Sequence, residues 1–282
     1  MRNAAALACL ALLAAAPAAA QSAPQLPAGR PIVIGQSYAL PSHVLGDTRR
    51  INVYLPEHYG DPKRSFPVLY LLDGGEAEDF HHITGLAQIN AAYGFGQEVI
   101  VVGIEGVDRR HDLTSPSTVA SDLKAAPTSG GADAYRRFLV DELKPWVAAH
   151  YHANGRSGLI GESLAGLFTL QTLLETPASF DDYIAVSPSL WWNAGALAAG
   201  ARNDLARGVF RGKRLVLAFD EPPPPADKAA VDRKRQDDVA DALRTSAPPG
   251  LIWKVIRPGE GHGSIYHPAA MQAFKVLYGP PG

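Results

Sequence analysis

The stretch GLIGESLAGLF, residues 158–168, constrains this chain more than any other feature. A short apolar run reaches Gly161 and Glu162, and directly after Ser163 the segment LAGLFTLQTLLET is almost wholly apolar. A strand that becomes a helix within one residue leaves no room for side chains two places before and after the turn, which is why G-x-S-x-G marks such an elbow. Here those positions are Gly161 and Ala165. Alanine in place of the usual second glycine adds only a methyl, and Gly166 follows at once. The expectation is that Ser163 stands at the top of a strand with its hydroxyl placed to attack a carbonyl, the alternative being an ordinary loop serine.

The surrounding chain has the organisation that such an elbow needs. FPVLYLL and EVIVVGI are continuous apolar runs bounded by Pro, Asp and Gly, as in central strands covered on both faces. PIVIGQSYAL and RRINVYLP, joined by a turn near Gly46 and Asp47, read as an antiparallel entry to the sheet. Tyr135, Phe138, Leu139, Leu143, Trp146 and Val147 make one helical stripe, in which Pro145 kinks the helix or begins a new turn. SGLIG, DYIAVSPS, KRLVLAFD and LIWKVIR read as further strands. KAAVDRKRQDDVADALRT reads as an exposed charged helix, and HPAAMQAFKVLYG as a closing one. This alternation predicts an α/β fold with a mainly parallel central sheet, antiparallel N-terminal strands and helices on both faces. The four prolines at 222–225 stiffen a loop, and neither a repeat nor a second domain is evident.

At the N-terminus, Arg2, the apolar stretch from Ala4 to Ala16 and the small residues Ala18 and Ala20 have the layout of a secretory signal peptide. The apolar stretch is too short for a membrane span of about 20 residues. The expected organisation is a signal peptide at 1–20, a linker at 21–31 and a single domain at 32–282, placing the product in the periplasm or the medium. Cys9, the only cysteine, lies in the leader, so the cleaved chain has no disulfide. A lipoprotein reading of Cys9 fits poorly, because it precedes most of the apolar stretch. With 25 basic against 28 acidic residues after cleavage, the basic excess typical of a nucleic-acid binder is missing, and no later segment is apolar enough to span a membrane.

Ser163 needs a base, an acid and donors for the oxyanion. The N–H of Leu164, at a helix N-terminus, favours negative charge, and a second donor is expected from the loop DGGEAEDF, at Gly75. A structural Asp-Gly turn is the alternative for that loop. In this order of elements the acid and then the histidine follow the serine. His262, between glycines after the last strand, is the expected base, with His267 as the fallback; His81 and His82 read as ordinary surface or pocket residues. The acid should follow KRLVLAFD, where Glu221 is preferred, Asp220 is the alternative, and Asp227 and Asp232 lie further along. Without an acid, a Ser-His dyad remains. Trp191 and Trp192 are candidates for a substrate pocket, or else one core anchor and one surface residue; Arg109 is a candidate for an anionic group, or else a surface arginine.

The stretches FPVLYLLDGG, VVGIEGVDRRHDLTSP, GLIGESLAGLF, FDDYIAVSPSLWW and GHGSIYHP, spread over most of residues 50–278, resemble the putative-esterase branch of the α/β-hydrolases. That branch includes siderophore esterases of the enterobactin and bacillibactin type and is related to feruloyl esterases, esterase D and the antigen 85 acyltransferases. The resemblance implies the α/β-hydrolase fold, a Ser163 nucleophile, a His262 base, and Arg109 and SPSLWW facing the substrate. It includes members with only a dyad. Glu162 departs from the histidine often found beside the family's serine. The expected activity is hydrolysis of a small-molecule carboxylic ester through an acyl-enzyme, with a siderophore trilactone as the first substrate to try and no cofactor or metal. Acyl transfer, a carbohydrate or feruloyl-type esterase, and a non-catalytic binding module are the alternatives, and the oligomeric state is left open.

Overall fold

A computed structural model describes residues 29–92, 96–207, 209–221, 223 and 225–280. The expected leader at 1–20 and most of the linker lie outside the described residues. Among those described, eight strands form one sheet in the order β1-β2-β4-β3-β5-β6-β7-β8. They are β1 (Gln36–Pro41), β2 (Thr48–Tyr54), β3 (Phe66–Leu72), β4 (Ile100–Ile104), β5 (Ala153–Glu162), β6 (Asp182–Val186), β7 (Arg214–Ala218) and β8 (Ile252–Ile256). β1 pairs antiparallel with β2, and β2 antiparallel with β4, while the pairings from β4 through β3 to β8 are parallel. The predicted α/β architecture with an antiparallel entry is the observed one. Ile34–Gly282 cluster as one compact unit.

The helices are α1 (Phe80–Ala92), α2 (Arg109–Asp112), α3 (Ala120–Ala125), α4 (Ala132–Arg137), α5 (Lys144–His150), α6 (Leu164–Glu175), α7 (Ala196–Leu205), α8 (Ala226–Ser246) and α9 (Tyr266–Leu277). Along β3 the side chains alternate between two buried layers. Phe66, Val68, Tyr70 and Leu72 join the layer that holds Phe138, Leu167 and Phe168, while Leu69 and Leu71 join the layer of Phe80, Ile83 and Phe274. Burial on both faces explains why β3 reads as a continuous apolar run, with all seven residues buried. α8 buries only Gln236, Val239, Ala240, Ala242 and Leu243, so its charged sequence belongs to a surface helix lying against α7.

Pro145 neither ends nor breaks the helical run that contains it. Phe138–Leu143 are wound as a π-helix between α4 and α5. A proline cannot donate to the preceding turn and its ring crowds the carbonyl four residues back, and a locally wider turn accommodates both effects. α1, α2, α3 and α7 were not predicted. In α1, FHHITGLAQINAA, the buried set includes Thr84 and Asn90, so hydrophobic periodicity alone does not expose it.

The two ends of the sheet have different chemistry. At the amino end of β6, Asp182 is fully buried and takes the guanidinium forks of Arg156 and Arg214 at 2.6–3.0 Å. Such a saturated ion pair serves the fold, since losing one partner strands a buried charge. The carboxyl ends carry the strained backbone and the cleft.

Candidate active site

Asp73, Ser163 and Ser187 follow or close β3, β5 and β6, and all three are non-glycine residues with positive φ, at 50°, 60° and 42°. Such strain persists only where the surrounding structure enforces it, and it clusters at functional sites. At Ser163 the enforcement is visible. Its N–H donates to Val186 O at 3.0 Å, and its carbonyl accepts from Leu167 N at 2.9 Å and Ser189 N at 3.1 Å. A Cβ added at Gly161 would stand 2.5 Å from the Ala165 Cβ, and one at Gly166 would stand 2.4 Å from Val186 O. These contacts explain the elbow's small residues, and Ala165 is tolerated because the glycine facing it is kept. Gly161→Ala is expected to destabilise the protein by about 1–3 kcal/mol, read from denaturant unfolding; an unchanged midpoint would remove this account of the elbow.

The half-buried Ser163 hydroxyl oxygen lies 3.2 Å from His262 Nε2 and 3.3 Å from Ser189 Oγ. His262 sits between β8 and α9, just beyond Gly259, whose φ is +81°. Its Nδ1 lies 2.7 Å from Ser187 Oγ and 3.7 Å from Asp220 Oδ2. Asp220 is buried, and Gln236 Nε2 donates to its Oδ1 at 3.0 Å and its carbonyl at 3.1 Å. The interaction with Asp220 holds the His262 imidazole above its ordinary value against the opposing effect of burial, with the Glu162 charge adding to the rise and Arg109 lowering it. Burial works to raise Asp220, but contacts with His262 and Ser187 outweigh it and leave the carboxyl below its ordinary value. Glu162 is raised by burial.

Of the two candidate acids, the alternative Asp220 is the one placed beside His262, and the preferred Glu221 is not. Past the end of β7 successive side chains point to opposite sides, so Asp220 faces His262 while Glu221 faces outward, half exposed and paired with Arg233. Asp227 lies in the first turn of α8, and Asp232 pairs with Arg235 at 2.9 Å. His267, the fallback base, is in α9 and stacks on His82 with ring centroids 5.2 Å apart, so it serves a different contact.

Leu164 is the first residue of α6 and lines the cleft, at a helical position whose N–H has no intrahelical acceptor. The N–H of Gly75, the other expected oxyanion donor, is taken by Glu78 Oε2 at 2.7 Å within its own loop. The cleft, about 660 Å³, is lined by Ser163, His262, Arg109, Trp191, Val231 and Arg235, among others. Trp191 is 39% exposed and forms its wall. Trp192 does not: it is buried, and its indole N–H donates to Ser115 O at 3.2 Å, making it a core anchor. Arg109 lines the cleft while its Nη2 and Nε donate to Asp73, the former at 2.8 Å. The resemblance turned SPSLWW toward the substrate without singling out Ser187 or Ser189, and Gln236 was not singled out at all. SPS preceded the tryptophans that drew attention, and no spacing rule places a β6-end hydroxyl against a histidine 75 residues later. Among the described residues, no group of three or more His, Cys, Asp or Glu is arranged to hold a metal ion.

Residues 42–275 match the profile of the family described as "Putative esterase". The chain belongs to this esterase family. A ferri-bacillibactin esterase, BesA of Bacillus subtilis, is 34% identical over 148 residues, covering 47% of this chain and 50% of that protein. The siderophore enterobactin esterase of Emericella nidulans is 29% identical over 209 residues, covering 62% of this chain and 69% of that one. The chain thus spans about half the length of BesA and a little over two thirds of the fungal relative. Among solved structures, an IroE-like serine hydrolase from Shewanella oneidensis superposes with a TM-score of 0.79 at 28% identity, covering 86% of this chain and 80% of that one. The cleft opens at the carboxyl ends of the parallel strands, where α/β folds place their ligands.

Proposed function

We propose that this chain is a serine hydrolase of carboxylic esters, acting through an acyl-enzyme formed on Ser163. The observation that carries the reading is the Ser163 Oγ to His262 Nε2 approach of 3.2 Å, made by a strained residue lining a substrate-sized cleft. His262 takes the proton as Oγ attacks the ester carbon, and the oxyanion forms beside the Leu164 N–H. Collapse of the tetrahedral intermediate returns that proton to the leaving alcohol, and water, deprotonated by the same imidazole, cleaves the acyl-enzyme. Asp220 stabilises the imidazolium that appears twice in this cycle. Gly75 joins as a second oxyanion donor only if Glu78 releases it.

The substrate read for this site is a siderophore trilactone. The names of the relatives support it, as do the size of the cleft and the cations Arg110 and Lys228 in a lining that also holds Asp220 and Asp232. The leader-like start supports export, with action in the periplasm or the medium. Among the described residues no helix is long and apolar enough to cross a membrane.

The test is hydrolysis of a trilactone siderophore beside p-nitrophenyl esters of increasing acyl length, with a competing alcohol in parallel reactions. Trilactone cleavage far faster than simple-ester turnover is the expected result. Fast turnover of short esters alone would replace the trilactone with a general ester, and an alkyl ester as the main product would make the chain an acyltransferase. No turnover of any ester would sink the reading as an enzyme.

A further inference from the structure

We infer that Ser187 is a positioning residue that bridges Asp220 to His262, so that the acid acts on the imidazole through a hydroxyl. The inference rests on the serine-hydrolase reading above and adds a fourth member to it. Asp220 Oδ2 is 3.7 Å from His262 Nδ1, beyond the 2.7–3.2 Å range of a good N–H to O hydrogen bond. Ser187 Oγ is 2.7 Å from the same nitrogen. A hydroxyl accepts and donates at once. In the bridge it accepts from Nδ1–H and turns its own proton to the carboxylate, whose Oδ1 accepts from Gln236 Nε2. Contact with Ser187 is also one of the influences that lower the Asp220 carboxyl.

The backbone supports this assignment. Ser187 is 3% exposed and its N–H donates to Ala218 O at 2.8 Å, which fixes the hydroxyl between the ends of β6 and β7. It holds a φ of +42°, a conformation that glycine adopts without strain. A strained residue whose side chain reaches the imidazole fits the general association of strain with function. The chemical consequence is tautomer control. With Nδ1–H committed to Ser187, the Nε2 lone pair faces the Ser163 hydroxyl, the arrangement a general base requires.

The charged groups acting on His262 are Asp220, Glu162 and Arg109. The experiment compares the full chain with Ser187→Gly, Ser187→Ala, Asp220→Asn and the Ser187→Gly/Asp220→Asn double variant. Glycine suits the positive φ, so Ser187→Gly removes the hydroxyl without backbone strain if Ser187→Ala folds poorly. Expected for Ser187→Gly is a kcat about 10- to 100-fold lower with KM nearly unchanged. The acid limb of kcat/KM should move to lower pH, because an imidazolium without its Nδ1 acceptor gives up its proton more readily. The double variant should lose little more than Asp220→Asn alone, since both remove one linked path. Losses that multiply, together with an unmoved acid limb, would overturn the bridge and leave Ser187 a packing residue.

An NMR titration of the His262 imidazole in the same proteins needs no turnover and separates the two readings. Lowered imidazole titration in Ser187→Gly with no esterase activity in the unmodified chain would sustain the bridge and sink the enzyme. Ser163-dependent turnover with an unmoved titration would do the reverse.

Discussion

Replacing Ser163 with alanine is expected to lower ester turnover by about 10⁴-fold or more while leaving the folding transition in place. The hydroxyl contributes little to the fold. Its side-chain contacts are with Ser189 Oγ at 3.3 Å and His262 Nε2 at 3.2 Å, while the elbow is held by main-chain bonds that alanine keeps. Loss of the only atom proposed to form a bond with the substrate should therefore appear in kcat and leave the melting temperature within a few degrees. His262→Ala should cost about as much, and the double variant little more than either, because nucleophile and base act as one unit. A fluorophosphonate probe offers a second measurement: it should label the unmodified chain and pass over Ser163→Ala. Undiminished turnover by Ser163→Ala would end the serine mechanism.

The second large effect separates two adjacent carboxylates. Asp220→Asn is expected to reduce kcat by about 10³-fold or more, as an amide gives no charge to the imidazolium and does not enforce the Nδ1–H tautomer. Glu221→Gln should stay within about twofold, since its partner is Arg233 at the surface and exposed pairs contribute about 0–1 kcal/mol. Kinetics at saturating substrate for both variants decides the assignment. A severe loss in Glu221→Gln with a normal rate in Asp220→Asn would restore the residue that position at the strand end had favoured.

That contrast shows how far the sequence could be read. The elbow was legible because its requirement is local: Gly161, Ser163, Ala165 and Gly166 lie within six positions, and the clashes that demand small residues occur inside the turn itself. The strands were legible for a similar reason, as burial on one or two faces writes a period-two or continuous apolar pattern into the chain. His262 followed from the order of elements and its flanking glycines. Where a side chain points is a different question. Asp220 and Glu221 are neighbours of like charge, and only the direction in which the chain leaves β7 turns one inward and the other toward Arg233. Trp191 and Trp192 divide in the same way between cleft and core, which residue type alone does not decide.

The sequence by itself determined the α/β class, the serine at the strand-to-helix turn and the histidine that returns to it, since each follows from periodicity, local sterics or the order of elements. Tertiary structure alone decided which carboxylate stands beside His262, the placement of Ser187 against His262, the closure of the Gly75 N–H by Glu78 and the pairing of His82 with His267. Those contacts join residues by the relative rotation and end points of separate strands and loops. Such quantities are set by packing across the whole sheet and leave no pattern in any one segment.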